Sequence, residues 1–447
     1  MSLGEVVLMG IIHPVSRPFY PVLSNDTTGV KSVPRGEIVM LTIDEERFQE
    51  SFETYSAIGS TNNNGLHRLA LTDEDKHVRD QFVADLESLG VDIRIDQIGN
   101  IFARRDGQNQ DIAPILIGSH LDSQPYGGRY DGQLGVLTAL ETLRTLEDEG
   151  IETKRPIEIV NWTNEEGSRF QHAMLGSAVF IEKTDLSEAL DLTDVEGNRL
   201  GDELTRIGYA GTDAVEPFDI HAYLELHIEQ GPILEEHGNA IGVVDGVFGI
   251  TWLRATIHGE TDHAGPTPMH TRRDAMATAA DAISEINRLP NRLSADAVST
   301  VGELRVEPDS INVIPDVVEF TVDLRSYDDD VVAEAIERTE AEIVAACNRH
   351  GTTYELEEIW KTRHTEFSPR VRDAIADTAE SLDVTYESIV SGAGHDATNV
   401  NQAFPAGMFF VPSVDGKTHN EAEYTAWGDC VTGANVYANA ILALAGR

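Results

Sequence analysis

Four apolar runs in this sequence end in residues able to bind a metal or move a proton. Ile115-Leu116-Ile117-Gly118-Ser119 leads into His120-Leu121-Asp122, and 157–162 leads into Thr163-Asn164-Glu165-Glu166-Gly167. Tyr223-Leu224-Glu225-Leu226 delivers His227 and then Glu229-Gln230-Gly231-Pro232, while His419, in Thr418-His419-Asn420-Glu421, follows the run 407–411. A histidine at the carboxyl end of a parallel strand points into the crevice where open α/β sheets bind ligands. Asp122, two residues beyond His120, can orient that imidazole. Gly127-Gly128-Arg129-Tyr130-Asp131-Gly132 presents Asp131 just before a helix, as a cap or as a ligand. Adjacent Glu165 and Glu166 repel each other and would splay into solvent on an ordinary turn. With a metal between His120 and Asp131, one of the two glutamates can bind it while its neighbour takes the proton of the attacking water. His, Asp, Glu and His in turn from the strand ends of one sheet are not a chance draw, even from 15 histidines and 77 acids.

Such a site needs a sheet to hold it. Over 42–240 the pattern alternates helix and buried strand: helix 73–90, strand 113–119, helix 134–149, strand 157–162 and strand 222–227. From 245 to 358 the order becomes strand 250–257, helix 273–288, strand 298–306, strand 317–325, helix 330–349 and strand 353–359, a β-α-β-β-α-β series of ferredoxin-like type. Helix 369–382, the run 407–411 and helix 428–444 restore α/β character. The expected architecture is therefore a mixed-sheet α/β catalytic domain, 40–244 and 359–447, interrupted by a smaller α+β domain at 245–358. A helix start at Thr42-Ile43-Asp44-Glu45-Glu46 makes Met40 the expected true start, or 1–39 a loose arm. The polar Thr61-Asn62-Asn63-Asn64-Gly65 tract reads as a surface turn.

Composition narrows the partners. The 447 residues carry 77 acids against 33 Lys and Arg, a formal charge of -44, which argues against nucleic acid or an anionic membrane surface. The only lysines are Lys31, Lys76, Lys154, Lys183, Lys361 and Lys417. An acidic, lysine-poor surface suits a halophilic cytoplasm, where salt screens the self-repulsion. Cys347 and Cys430 are too few for a disulfide framework or a thiolate cluster, so any metal is held by imidazole and carboxylate. No apolar stretch reaches membrane-spanning length, and no signal peptide is recognisable.

The segments Gly118-Ser119-His120-Leu121-Asp122-Ser123, Gly127-Gly128-Arg129-Tyr130-Asp131-Gly132, Asn164-Glu165-Glu166-Gly167-Ser168-Arg169-Phe170 and Leu226-His227-Ile228-Glu229-Gln230-Gly231-Pro232 closely resemble the binuclear-metal amidohydrolases. That family includes N-carbamoyl-L-amino acid hydrolase, β-ureidopropionase and allantoate amidohydrolase, and is related to aminoacylases and metallo-aminopeptidases. The resemblance runs from about residue 42 to the C-terminus. It implies a metallopeptidase-like catalytic domain with a lid and dimerisation domain inserted. It also implies two divalent ions per subunit, one on His120, Asp131 and His227 and the other on Asp131, Glu166 and His419, with Glu165 as general base. Zinc comes first for this donor set, and manganese, cobalt or nickel also suit it.

Recognition of the substrate is expected mainly from the insert. Alternation along Val318-Glu319-Phe320-Thr321-Val322-Asp323-Leu324-Arg325 puts Arg325 on the polar face with Asp323, as a salt bridge or as a free cation. The resemblance favours a clamp on the substrate carboxylate. It likewise gives substrate contacts to Asn312, to His263 from the partner subunit, and to Gln230, Gly394 and His395. The implied reaction is hydrolysis of the carbamoyl C–N bond of an N-carbamoyl-L-amino acid by a cytoplasmic homodimer, giving amino acid, carbon dioxide and ammonia. Allantoate hydrolysis and a dipeptidase or aminoacylase activity are the alternatives.

Overall fold

The apolar runs become the central strands of a nine-stranded sheet. The computed structural model describes residues 40–215 and 217–446, so the expected arm 1–39 lies outside the described residues. From one edge inward the strands are Asp92–Ile95, Ile101–Arg105, Ile157–Trp162, Ile115–His120, Ala222–Ile228, Ala406–Val411 and Ile241–Val247. Thr365–Glu366 and Tyr386–Ser391 both pair with the last of these. Strands 157–162, 115–120, 222–228 and 406–411 run parallel, and antiparallel strands flank them. The four parallel strands are buried at every position, which is why they read as unbroken apolar runs. Strand 115–120 has its sequential successor on one side and 222–228 on the other. It is thus a topological switch point, where the crevice of an open sheet opens.

Helices cover the sheet. Gln133–Asp148 crosses from the 115–120 strand to the 157–162 strand, and its Leu134, Leu137, Leu140 and Val136 join one core with Ile117, Ile159 and Leu226. The closing helix Trp427–Ala445 packs beside it, burying Ala434, Tyr437 and Ile441. Near the N-terminus Asp44 caps the helix Glu45–Ser56 by accepting the Arg47 N–H.

The second sheet has five strands. Gly249–His258 lies between Thr353–Thr362 and Val317–Ser326, and Leu304–Glu307 follows beyond, the fourth-first-third-second order of a ferredoxin-like unit. Helices Ala275–Ile286 and Asp329–His350 pack Ala279, Ala282, Ile343 and Ala346 onto the face bearing Leu253, Ala255, Phe320 and Val322. Two details depart from expectation. The run 298–306 is two strands, Val298–Thr300 and Leu304–Glu307, both paired with 317–326 but with a register slip of one residue between them, so that Thr300 faces Asp323 while Leu304 faces Phe320. The last strand continues to Thr362, and a bulge between Glu358 and Trp360 sets Trp360 opposite Trp252, with ring centroids 4.8 Å apart.

Candidate metal centre

The carboxyl ends of the parallel strands converge on Asp131. His120 closes its strand with its side chain buried, and its Nε2 lies 3.3 Å from Asp131 Oδ1. His227, one residue from the end of the neighbouring strand, brings its Nε2 to 3.2 Å from the same oxygen. On the other side His419 Nε2 is 3.6 Å from Asp131 Oδ2 and 3.7 Å from Glu166 Oε2. The ligand atoms of His120, Asp131 and His227 lie within 4.8 Å of one another, as do those of Asp131, Glu166 and His419. Asp131 belongs to both sets and is not spent on capping. Gly132 takes the cap position of the following helix with φ 64°, and a Cβ there would stand 2.3 Å from the His120 ring.

The donor chemistry fits divalent cations. Each buried imidazole uses its Nδ1 on a carbonyl oxygen, His120 on Asp122 at 3.0 Å and His227 on Ile228 at 3.0 Å. That bond places the proton on Nδ1 and turns the Nε2 lone pair toward the acids, the tautomer a metal ligand requires. Four carboxylates, Asp122, Asp131, Glu165 and Glu166, crowd the same buried volume, an arrangement that positive charge must offset. The protonation tendencies express the same crowding. Burial pushes the Glu165 carboxyl well above its ordinary value against the pull of His120, and Asp396, Glu166 and Asp122 reinforce the rise. Burial and Asp131 do the same to Glu166. Burial would also raise Asp131, but His227 and His120 outweigh it and hold its carboxyl well below the usual range.

Asp122 acts differently from the expected pairing of its carboxylate with His120. Its backbone carbonyl is the Nδ1 partner, and its carboxylate stands 3.7 Å off. The carboxylate instead accepts the backbone N–H groups of Glu165 at 3.2 Å and Glu166 at 3.3 Å. Asp122 thereby ties the glutamate turn to the His120 strand. Glu165 Oε2 lies 3.5 Å from His120 Nε2, at the edge of the first ligand set.

Strained backbone surrounds the centre. Asn164, Gln230 and His419 all have positive φ, at 54°, 59° and 55°. Gln230, expected as a substrate contact, donates its Nε2 to Asp131 Oδ2 at 2.7 Å, while its Oε1 is buried without a partner among the described residues. His395 is buried against His227, with ring centroids 4.5 Å apart, and its Nε2 lies 3.2 Å from Ser391 Oγ. Gly394 precedes it, packed so closely on Met174 that a Cβ would stand 3.0 Å from the Met174 methyl.

The insert residues are not drawn into this cluster. Arg325 donates Nε to both Asp323 oxygens, at 3.0 and 3.2 Å, and Nη2 to one of them at 2.7 Å, so the salt bridge allowed by the sequence forms. Its Nη1 reaches across to the Gly392 carbonyl at 2.7 Å, in the loop that leads to Gly394 and His395. His263 and Asn312 meet each other on a two-stranded ribbon, where His263 pairs with Val313 and the Ala264 N–H donates to the Asn312 carbonyl at 3.0 Å. The His263 side chain is exposed, and its Nδ1 accepts the Gly265 N–H.

Sequence reasoning missed three residues that hold the ligands. Gln124 grips both oxygens of Glu166, through its backbone N–H at 3.0 Å and its Nε2 at 2.8 Å. Thr418 Oγ1 lies 3.1 Å from Asp131 Oδ2 and 3.0 Å from Glu423 Oε2. Glu423 accepts the backbone N–H groups of Tyr130 at 2.9 Å and Asp131 at 3.2 Å. Only their nearness in sequence to His120 and His419 hinted at them.

Comparison with known proteins finds relatives over most of the chain. Residues 116–443 match the model of Peptidase family M20/M25/M40. The chain is 40% identical over 400 residues to an N-carbamoyl-L-amino-acid amidohydrolase of Rhizobium meliloti, covering 90% of this chain and 96% of that protein. It is 30% identical over 411 residues to the allantoate amidohydrolase of Escherichia coli, covering 91% and 99%. A hydantoinase/carbamoylase family amidase from Burkholderia multivorans superposes with a TM-score of 0.87 at 44% identity, over 91% of this chain and 99% of that one.

Proposed function

The chain belongs to peptidase family M20/M25/M40, and on that premise we propose that it hydrolyses the carbamoyl C–N bond of N-carbamoyl-L-amino acids. The observation that carries this reading is the pair of ligand sets sharing Asp131, with Glu165 beside them. His120, Asp131 and His227 would hold one divalent ion, and Asp131, Glu166 and His419 a second. When bound, the two ions polarise the scissile carbonyl and lower the pKa of the attacking water. Glu165 accepts the water's proton and passes it to the departing nitrogen, a role open to a carboxylate that stands beside the first ligand set. Asp122 keeps Glu165 in place through the Glu165 N–H.

The remaining residues bind and orient. Gln230 Oε1, buried and without a partner, is an acceptor free for a ureido N–H. Arg325 exchanges its bond to the Gly392 carbonyl for the substrate carboxylate, keeping Asp323 on its other edge. Gly394 and His395 line the same loop, and Asn312, with His263 of a second copy, completes the carbonyl's surroundings. The lid and dimerisation role of 245–358, a homodimer, and a salt-rich cytoplasm belong to the same proposal. Among the described residues no helix is long and apolar enough to cross a membrane.

The test is ammonia release in molar KCl, with and without chelator, on N-carbamoyl-L-amino acids, N-carbamoyl-β-alanine, allantoate and a dipeptide scored for free amino acid. Metal-dependent ammonia from a carbamoyl amino acid is expected. Ammonia from allantoate alone would move the enzyme to ureide breakdown, and dipeptide cleavage alone would leave the metal centre standing and overturn the substrate class.

A further inference from the structure

His419 is unlike the other ligands. His120, Asp131 and His227 are buried, and His120 and His227 sit on hydrogen-bonded strands, whereas the His419 side chain is 49% exposed, on irregular backbone of positive φ. Nothing in its own regular structure fixes its position. Two acids in the same loop anchor that loop to its surroundings. Glu421 reaches out to the polar tract at 61–65, where it accepts the Thr61 hydroxyl and, at 2.7 Å, the Asn63 amide. Glu423 reaches inward and accepts the Tyr130 and Asp131 N–H groups and the Thr418 hydroxyl. Asn420 ties the two together, donating to the Thr418 carbonyl at 2.7 Å and accepting the Ala422 N–H at 2.9 Å.

The receiving surfaces are shaped for these acids. A Cβ on Gly128 would lie 2.0 Å from the Glu423 carboxyl carbon, and one on Gly65 would lie 2.7 Å from Glu421 Cγ. The tract closes on itself, the Thr61 N–H donating to the Gly65 carbonyl at 2.9 Å, and is fastened to the 127–132 loop at its end, where the Leu66 N–H donates to the Gly127 carbonyl at 2.9 Å. Residues 61–65 therefore hold Glu421, two residues along the chain from His419, and Glu423 holds the same loop to the backbone of Asp131.

We propose that Glu421 and Glu423 form a two-armed clamp that positions His419, and that the outer arm, Glu421 with Thr61 and Asn63, sets how tightly the ion on Asp131, Glu166 and His419 is retained without touching the ion on His120, Asp131 and His227. The inference rests on the two-ion reading given above. The polar tract is on this account a fastening for a metal ligand and more than a turn. Partners one bond removed from a ligand typically change metal affinity by about 10- to 100-fold. An arm that acts through a loop and lies partly in solvent should fall near the lower figure, about tenfold.

The experiment counts zinc per chain by elemental analysis after dialysis of the full-length protein against graded chelator. Wild type, Glu421→Ala, Asn63→Ala, Glu421→Gln and His419→Ala are compared, with thermal unfolding of each metal-free protein as the check on folding. Wild type should hold two ions. Glu421→Ala and Asn63→Ala should release one ion at a free-zinc level about tenfold higher than wild type and the other at the wild-type level. His419→Ala should lose that same single ion more completely, and Glu421→Gln, which keeps an acceptor for Thr61, should fall between. Release of both ions together, or release indistinguishable from wild type in a folded Glu421→Ala protein, would overturn the clamp alone. A wild type that never binds more than one ion would overturn the two-ion reading and the clamp with it.

Discussion

His120 and His227 reach one Asp131 oxygen at 3.3 and 3.2 Å from adjacent parallel strands, while Arg325, on the five-stranded sheet, spends three bonds on Asp323 and one on the Gly392 carbonyl. The nine-stranded sheet thus assembles its reacting groups in advance. The five-stranded sheet instead keeps Arg325 paired with Asp323 and the Gly392 carbonyl, and His263 lies exposed on a ribbon of its own. The difference follows from what each job requires. Metal ligands and a base must be held at near-fixed geometry before the substrate arrives, because preorganisation is where such sites gain most of their rate. A carboxylate clamp must let substrate in and product out, so its guanidinium needs a resting partner and a loop it can leave.

The largest effect should come from the preassembled side. Glu165→Gln keeps the shape and removes the proton acceptor, so kcat should fall roughly 10³-fold while both ions remain bound. Steady-state kinetics with metal content measured on the same sample check this. Equal losses of metal and turnover would make Glu165 a ligand and blur the division between holding the ions and using them.

The next effect tests the insert. Arg325→Ala should lower kcat/KM for N-carbamoyl-L-amino acids on the order of 100-fold, the usual cost of removing one member of a buried charged pair. A carbamoylated amine lacking the carboxylate should be turned over as by the wild type. Loss on both substrates alike would show that Arg325 serves the fold through Asp323 and Gly392 and binds no carboxylate.

A third prediction asks where the insert's chemistry is delivered. If His263 acts on the partner's site, a mixed dimer of Glu165→Gln and His263→Ala chains contains one site with Glu165 intact that receives an intact His263. Equal mixing with subunit exchange should then restore about a quarter of wild-type activity from two nearly inactive parents. An additive mixture would place His263 in its own subunit's site or outside the chemistry.

The same contrast explains what the sequence disclosed. The four parallel strands and their terminal His120, Glu165, Glu166 and His227 were legible because strands buried on both faces leave long apolar runs that stop where the chemistry starts. The edge strand Asp92–Ile95 and its neighbour Ile101–Arg105 were not, being short and flanked by polar residues that carry no clear alternation. The split at 298–307 escaped notice because a one-residue slip changes pairing without changing composition. Gln124 and Glu423 were invisible for another reason. Their partners are 42 and 293 residues away, and hydrogen bonds over such separations leave no local pattern. Asp122 was found in the right place with the wrong atom, since spacing cannot tell a carbonyl from a carboxylate.

The smallest effect concerns the resting partner itself. Asp323 occupies the Nε and Nη2 edge of Arg325, which leaves Nη1 facing the Gly392 loop. Held in that way, the acid orients the guanidinium and does not compete for the edge that would meet the substrate. Asp323→Asn retains the shape, weakens a partly buried ion pair worth about 1 kcal/mol, and should raise KM about threefold to fivefold with kcat nearly unchanged. Michaelis–Menten kinetics on one carbamoyl amino acid are sufficient. A fall in KM would mean that Asp323 competes with substrate for Arg325, and the insert would then be restraining its own clamp where the nine-stranded sheet only prepares its ligands.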